Sequence, residues 1–114
     1  MRVLDAYGRR CAVTGERALP ALEAAHIQPY RGPASNHIQN GLALRADFHR
    51  LYDRGYVTVT PEHRFQVSHR LKEDFDNREA YYRLGGRQLI VLPPDPSERP
   101  SRQALEWHAS KVFR

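Results

Sequence analysis

The sequence predicts a small α+β domain organised around a strand–turn–strand–helix unit at about residues 18–55. Three observations lead there. The chain is 114 residues long, which fits one domain with one modest core. Two short extended runs, one within residues 18–27 after Pro20 and one at Leu42–Arg45, flank a segment dense in turn-forming residues, Pro29 to Asn36, and a second turn signal at Asn40-Gly41. Directly afterwards Phe48, Leu51 and Tyr52 recur at helical spacing, and Gly55 is placed to stop that helix.

The remaining elements follow in order. Residues 1–10 read as a short helix ending near Gly8, and residues 11–15 as a short strand closing at Gly15. In the helix after Arg45, Asp47 suits the N-terminal end and Arg50 and Arg54 the C-terminal end of the peptide dipole. Tyr56–Thr60 and Phe65–Ser68 alternate as two strands of a hairpin. Residues 70–84 are helix-prone, most clearly Asn77 to Leu84, and Gly85-Gly86 ends that stretch. Gln88–Leu92 reads as a short apolar strand. Pro93, Pro94, Pro96 and Pro100 make a stiff connector, after which Ser101 caps a C-terminal helix running to Phe113. On that helix Ala104, Leu105, Trp107, His108 and Val112 are available for packing. The whole chain, 1–114, is read as one domain, and its abrupt start suits the last part of a longer protein.

Composition removes several function classes. No apolar run approaches the ~20 residues that span a bilayer. Cys11 is the single cysteine, so neither a disulfide framework nor a cysteine zinc ribbon can form, and Cys11 reads as a small packed residue. No secretory signal follows Met1 and Arg2, and a cytoplasmic address is the default expectation. The formal charge is +5, and Lys72 and Lys111 are the two lysines among 18 basic residues. Arginine presents a fork suited to phosphate. A basic, arginine-rich domain points toward a polyanionic partner.

The chemistry-bearing residues lie between Leu22 and Gly55. His26 ends the first strand of the unit, and His49 and Asp53 stand four apart on its helix. A histidine and a carboxylate at that spacing can chelate one divalent ion, since both heads reach the same point beyond the helix face. A second histidine on the facing strand can take a proton from water beside that ion. Together these are the minimum equipment for phosphodiester hydrolysis.

His26, Asn40 and His49 are spaced as in the HNH endonuclease motif, and the surrounding phrases resemble one subgroup of that family. They are Leu22-Glu23-Ala24-Ala25-His26-Ile27, Asn40-Gly41-Leu42-Ala43-Leu44-Arg45 with Asp47-Phe48-His49, and Leu51-Tyr52-Asp53-Arg54-Gly55. Arg10–Gly15 and the tail Leu105-Glu106-Trp107-His108 are also similar. The resemblance implies a ββα-metal (His-Me finger) core with extra short strands and a C-terminal helix, acting as a DNA endonuclease. It implies that His26 is the general base, that Asn40 is a positioning residue, and that His49 and Asp53 hold a divalent metal. Magnesium is the first expectation, with manganese, nickel and zinc as alternatives. Arg31, Arg45, Arg50 and Arg54 flank this site and are the candidates for phosphate contacts.

The sequence departs from the family pattern at one place. Many HNH enzymes carry Asp or His immediately before the catalytic histidine, where this chain has Ala25. Glu23, two residues back on the same nominal strand face, either contributes to the metal, directly or through water, or pairs with an arginine. Nothing in the sequence looks like a base-reading module, so any specificity is expected from a fused domain, a partner or DNA shape. Two rival readings are a DNA-binding module that has lost catalysis and a toxin-type nuclease with an acidic inhibitor. His37 reads as a solvated loop residue, and His63 and His69 as no metal site.

Overall fold

Residues 2–29, 31–76 and 79–114 are described by a computed structural model of the chain. Their regular structure is α1 (Val3–Ala6), β1 (Leu22–His26), β2 (Gly41–Arg45), α2 (Ala46–Asp53), β3 (Val57–Val59), β4 (Phe65–Val67), α3 (Arg70–Phe75) and α4 (Arg102–Lys111), with 3-10 turns in the connections before β1, between β1 and β2, and between α3 and α4. Two separate antiparallel hairpins result, β1 with β2 and β3 with β4, so the fold is α+β. Among the described residues no helix is long and apolar enough to cross a membrane.

The register of the first hairpin sets Leu22 opposite Arg45 and His26 opposite Gly41. Leu42, Ala43 and Leu44 are all buried because both α1 and α2 pack on β2. The Tyr7 hydroxyl, reaching over from the segment after α1, donates to the Gly41 carbonyl (3.1 Å) and fixes the start of β2. No loop separates β2 from α2, so the orientation of the hairpin dictates where the helix points.

Along α2, Phe48 and Tyr52 are buried and Leu51 is half-buried, as the spacing predicts. Phe48 meets Phe65 and Tyr81 edge-on, with ring centroids 5.5 and 5.7 Å apart. Asp47 does lie in the first turn, but its carboxylate is spoken for. It accepts two bonds from the Arg45 fork (3.0 and 2.7 Å) and one from the Tyr81 hydroxyl (2.9 Å). Burial works to raise its pKa, but these bonds outweigh burial and hold it below the usual carboxylate value.

The C-terminal helix is capped as expected, Ser101 Oγ accepting from the Ala104 N–H at 3.1 Å. It ends at Lys111 rather than Phe113. His108 bolts it to the centre. Its Nε2–H donates to the Tyr52 carbonyl (2.8 Å), its Nδ1 accepts from the Thr58 hydroxyl (2.7 Å), and its ring stacks on Tyr52 at 3.6 Å. This arrangement requires the neutral ring. Burial pushes the pKa of His108 down from 6.5 to about 4, the Tyr52 carbonyl opposing part of that shift. In the unfolded chain the same ring takes up a proton near pH 6.5, so protons favour unfolding between the two values. Stability conferred by a neutral His108 is therefore complete above pH 6.5 and declines as pH falls toward 4, by about 3 kcal/mol. Urea melts across that range are expected to show this loss, and His108→Gln to lack its share of it.

Three local expectations are corrected. Residues 11–15 form a buried turn rather than a strand: Cys11, Ala12 and Val13 are in the core, but the Ala12 N–H bonds the Ala43 carbonyl and its own carbonyl receives Ile90 and Val91. Residues 88–92 are likewise not a strand, apart from one bridge between Arg64 and Gln88. Residues 70–84 do not form one helix: α3 stops at Phe75, Asp76 takes a left-handed conformation (φ +54°), and a 3-10 turn covers Tyr82–Leu84. Of the helix expected from Asn77 onward, Asn77 and Arg78 lie outside the described residues.

Candidate active site

His26 is the last residue of β1, and His49 and Asp53 are one turn apart on α2. Because β2 runs directly into α2, the exposed edge of the helix faces the end of β1. The three side chains line one cleft of about 370 Å³, together with Ala24, Ile27 and Pro29 from the hairpin side and Trp107, His108 and Val112 from the C-terminal side. Residues 26, 49 and 53, distant in sequence, are thus brought into one hollow, and α4 supplies its far wall.

Asn40 is buried and does not line the cleft. Its side-chain carbonyl accepts from the Gln28 N–H (2.9 Å), and its amide donates to the carbonyls of Gln28 (3.1 Å) and Ser35 (2.8 Å). Its own backbone carbonyl accepts from Ile27 (2.9 Å). Asn40 therefore ties the base of the loop to the two residues that follow His26, to Gln28 through its side chain and to Ile27 through its backbone, and so fixes where β1 ends.

His49 has a carboxylate beside each ring nitrogen. Nδ1 lies 2.7 Å from Glu23 Oε1, and Nε2 lies 3.3 Å from Asp53 Oδ2. In the neutral ring with its proton on Nδ1, that nitrogen donates to Glu23 and leaves the Nε2 lone pair beside the Asp53 carboxylate, toward the cleft. A carboxylate on the far nitrogen is the usual device for orienting an imidazole that binds metal. Glu23 thus meets a histidine, and not an arginine. Its contact spans 26 positions, which no local pattern reveals.

The donor set suits a small divalent ion. Adjacent ligand atoms of an octahedral ion with bonds of about 2.1 Å stand about 3 Å apart, close to the 3.3 Å between His49 Nε2 and Asp53 Oδ2. Among the described residues, no group of three or more His, Cys, Asp or Glu side chains is arranged to hold a metal. Ala25 is fully buried and offers no donor. The chain thus brings two donors, and magnesium in particular accepts water and substrate oxygens for the rest.

The four flanking arginines separate into two groups. Arg45 is engaged by Asp47 and lies over the Phe48 ring, 4.4 Å from its centroid. Arg31, Arg50 and Arg54 are exposed, and Arg31 lines a smaller hollow beside the cleft. Trp107, expected to pack in the core, is half-buried and forms part of the cleft wall. Its place there depends on α4 folding back across the helix–hairpin unit.

Comparison with known proteins finds a family model and a similar fold among solved structures. A family model described as HNH endonuclease matches residues 11–60. Among solved structures, the fold is similar to that of a chain described as "Modification dependent TagI restriction endonuclease". The TM-score is 0.61 at 18% identity, and the alignment covers 98% of this chain and 36% of the other. This chain therefore spans about a third of that structure's length. No curated protein sequence matches the chain.

Proposed function

We propose, from the match of residues 11–60 to a family model described as HNH endonuclease, that this chain belongs to that family and cuts DNA by divalent-metal-dependent hydrolysis at the cleft between β1, α2 and α4. The observation that carries this reading is the shared cleft of His26, His49 and Asp53, with the two His49 nitrogens divided between Glu23 and Asp53.

Each residue has a distinct task. His49 Nε2 and Asp53 Oδ2 would hold the ion, which when bound stabilises charge on the phosphate and on the departing oxygen. Glu23 keeps the His49 proton on Nδ1 and the ring fixed. His26, across the cleft, takes a proton from the attacking water. An imidazole suits that task because its ordinary pKa lies near neutrality. Asn40 acts through the backbone of residues 27 and 28, setting the position of His26. Arg31, Arg50 and Arg54 meet backbone phosphates, so binding is chiefly electrostatic and weakens steeply with salt.

The fold neighbour is described as a modification-dependent restriction enzyme, and this domain covers its length only in part. We assign the present chain the cutting step, with target choice supplied from outside it. The test is nicking of supercoiled plasmid by the whole chain. Cleavage with added magnesium or manganese, stopped by a chelator and restored by metal, is expected. No cleavage with any divalent metal, alongside retained DNA binding, would instead favour a binding module.

A further inference from the structure

Trp107 is the single tryptophan of the chain, and its position is unusual for a packing residue. The indole lines the main cleft, and it also lines a second hollow of about 120 Å³ with Gln28, Pro29, Arg31 and Ser35. Trp107 and Pro29 are common to both. One track therefore runs from His26, His49 and Asp53 past the indole to an exposed arginine.

The helix that carries the indole is also held firmly. The next residue, His108, is bolted to Tyr52 and Thr58, and Ala104 and Leu105 are buried on the same helix. A half-exposed aromatic surface on so fixed a helix can receive a flat ligand with little loss of side-chain freedom. Its neighbours at the two ends of the track narrow the ligand's chemistry: a phosphodiester-cutting constellation on one side and a guanidinium on the other. Aromatic platforms interleaved with basic side chains are how proteins hold unpaired nucleic-acid strands.

We propose that Trp107 is the stacking platform for an unpaired base of the DNA strand being cut, next to the phosphate held at the cleft, with Arg31 meeting the backbone beyond it. This rests on the nuclease reading above and extends it to a substrate class: single-stranded or locally opened DNA. The shared chemistry is the exposed face of a base, and its source is either a single strand or a duplex that opens on binding.

Excited at the red edge of the tryptophan band, where tyrosine does not absorb, intrinsic emission reports Trp107 alone, so wild-type protein suffices. In chelator, to prevent cutting, the full chain is titrated with a thymine oligonucleotide and, separately, with a duplex of equal length. Anisotropy of the labelled DNA measures binding in parallel. Stacking is expected to quench the emission in step with anisotropy. Quenching by the single strand alone identifies the first source, and quenching by the duplex the second. Trp107→Ala is expected to weaken binding by about tenfold, the lower part of the range for loss of one stacked base, and Trp107→Phe to retain most of the affinity. Saturated binding by anisotropy with unchanged emission for both DNAs would overturn the proposal while leaving the nuclease reading intact. Absence of any DNA binding would overturn both.

Discussion

His26→Ala is expected to lower the nicking rate by about 10²–10⁴-fold, the usual contribution of a positioned acid–base group. Affinity for DNA and for metal should stay within about twofold, because His26 is assigned neither task. The size of the effect follows from the layout of the cleft. In the proposed site the two donors, His49 and Asp53, stand on α2, and the histidine that lines the cleft from β1 is His26. His108 also borders the cleft, but both of its nitrogens are committed to Tyr52 and Thr58. No other described imidazole lines the hollow, so removal of His26 leaves no equivalent base. Single-turnover nicking, with metal and protein in excess, measures the loss free of binding effects. A variant that nicks at the wild-type rate would show that the proton goes elsewhere.

Gly55→Ala is expected to be the most damaging small substitution for stability. Gly55 follows α2 at φ +81°, where any side chain is strained. A Cβ there would also overlap the Val112 carbonyl oxygen and press on the Arg114 side chain at 3.2 Å. The C-terminal residues are tied to this very point: the Arg114 N–H bonds the Gly55 carbonyl (2.8 Å), and its Nε bonds the Arg54 carbonyl (2.9 Å). Left-handed strain and backbone overlap together are expected to cost about 2–5 kcal/mol, a fall in Tm of at least about 10 °C. Gly8 supplies the control. It has φ +63° but open space around its Cβ position, so Gly8→Ala should cost only the conformational part, about 1 kcal/mol. Equal Tm shifts for the two variants would mean that the tail does not clamp Gly55.

The parts of the fold that were legible in the sequence are those whose partners are near in the chain. β1, β2 and α2 lie within one stretch of chain, and the turn formers between the two extended runs and the 3–4 spacing of Phe48, Leu51 and Tyr52 act within it. Ser101 announced α4 through a bond to Ala104, three residues away. The misread segments are set by remote partners. Ala12 is bonded on one side to Ala43 and on the other to Ile90 and Val91, so two stretches that look like strands are joined through one residue instead of through a ladder. Leu89 turns inward while Ile90 stays 65% exposed, an alternation that suits a strand but here belongs to irregular chain.

The site follows the same rule. What was legible of its residues is their placement: His26 at a strand end, Asn40 at the turn before the next strand, and His49 with Asp53 one turn apart on a helix. Glu23 was left between metal and arginine, since strand alternation says which face a side chain leaves from but not how far a flexible carboxylate reaches. It crosses from β1 to α2 and meets His49. Arg45 looked like its exposed neighbours, yet the carboxylate two positions on and the Phe48 ring claim it. Trp107 could be placed on a packing face but not at a cleft, because that depends on which element α4 lies against.

The central claim is that a divalent ion sits between His49 Nε2 and Asp53 Oδ2, facing His26. It is tested most directly by a crystal structure of the whole chain soaked in manganese, with the ion located by its anomalous scattering. The account predicts a peak bonded to those two atoms at about 2.1–2.2 Å, with the Glu23–His49 contact kept and the His26 ring across the cleft but not bonded to the ion. A peak elsewhere, or a fully occupied ion bonded to Glu23 with His49 turned away, would contradict it.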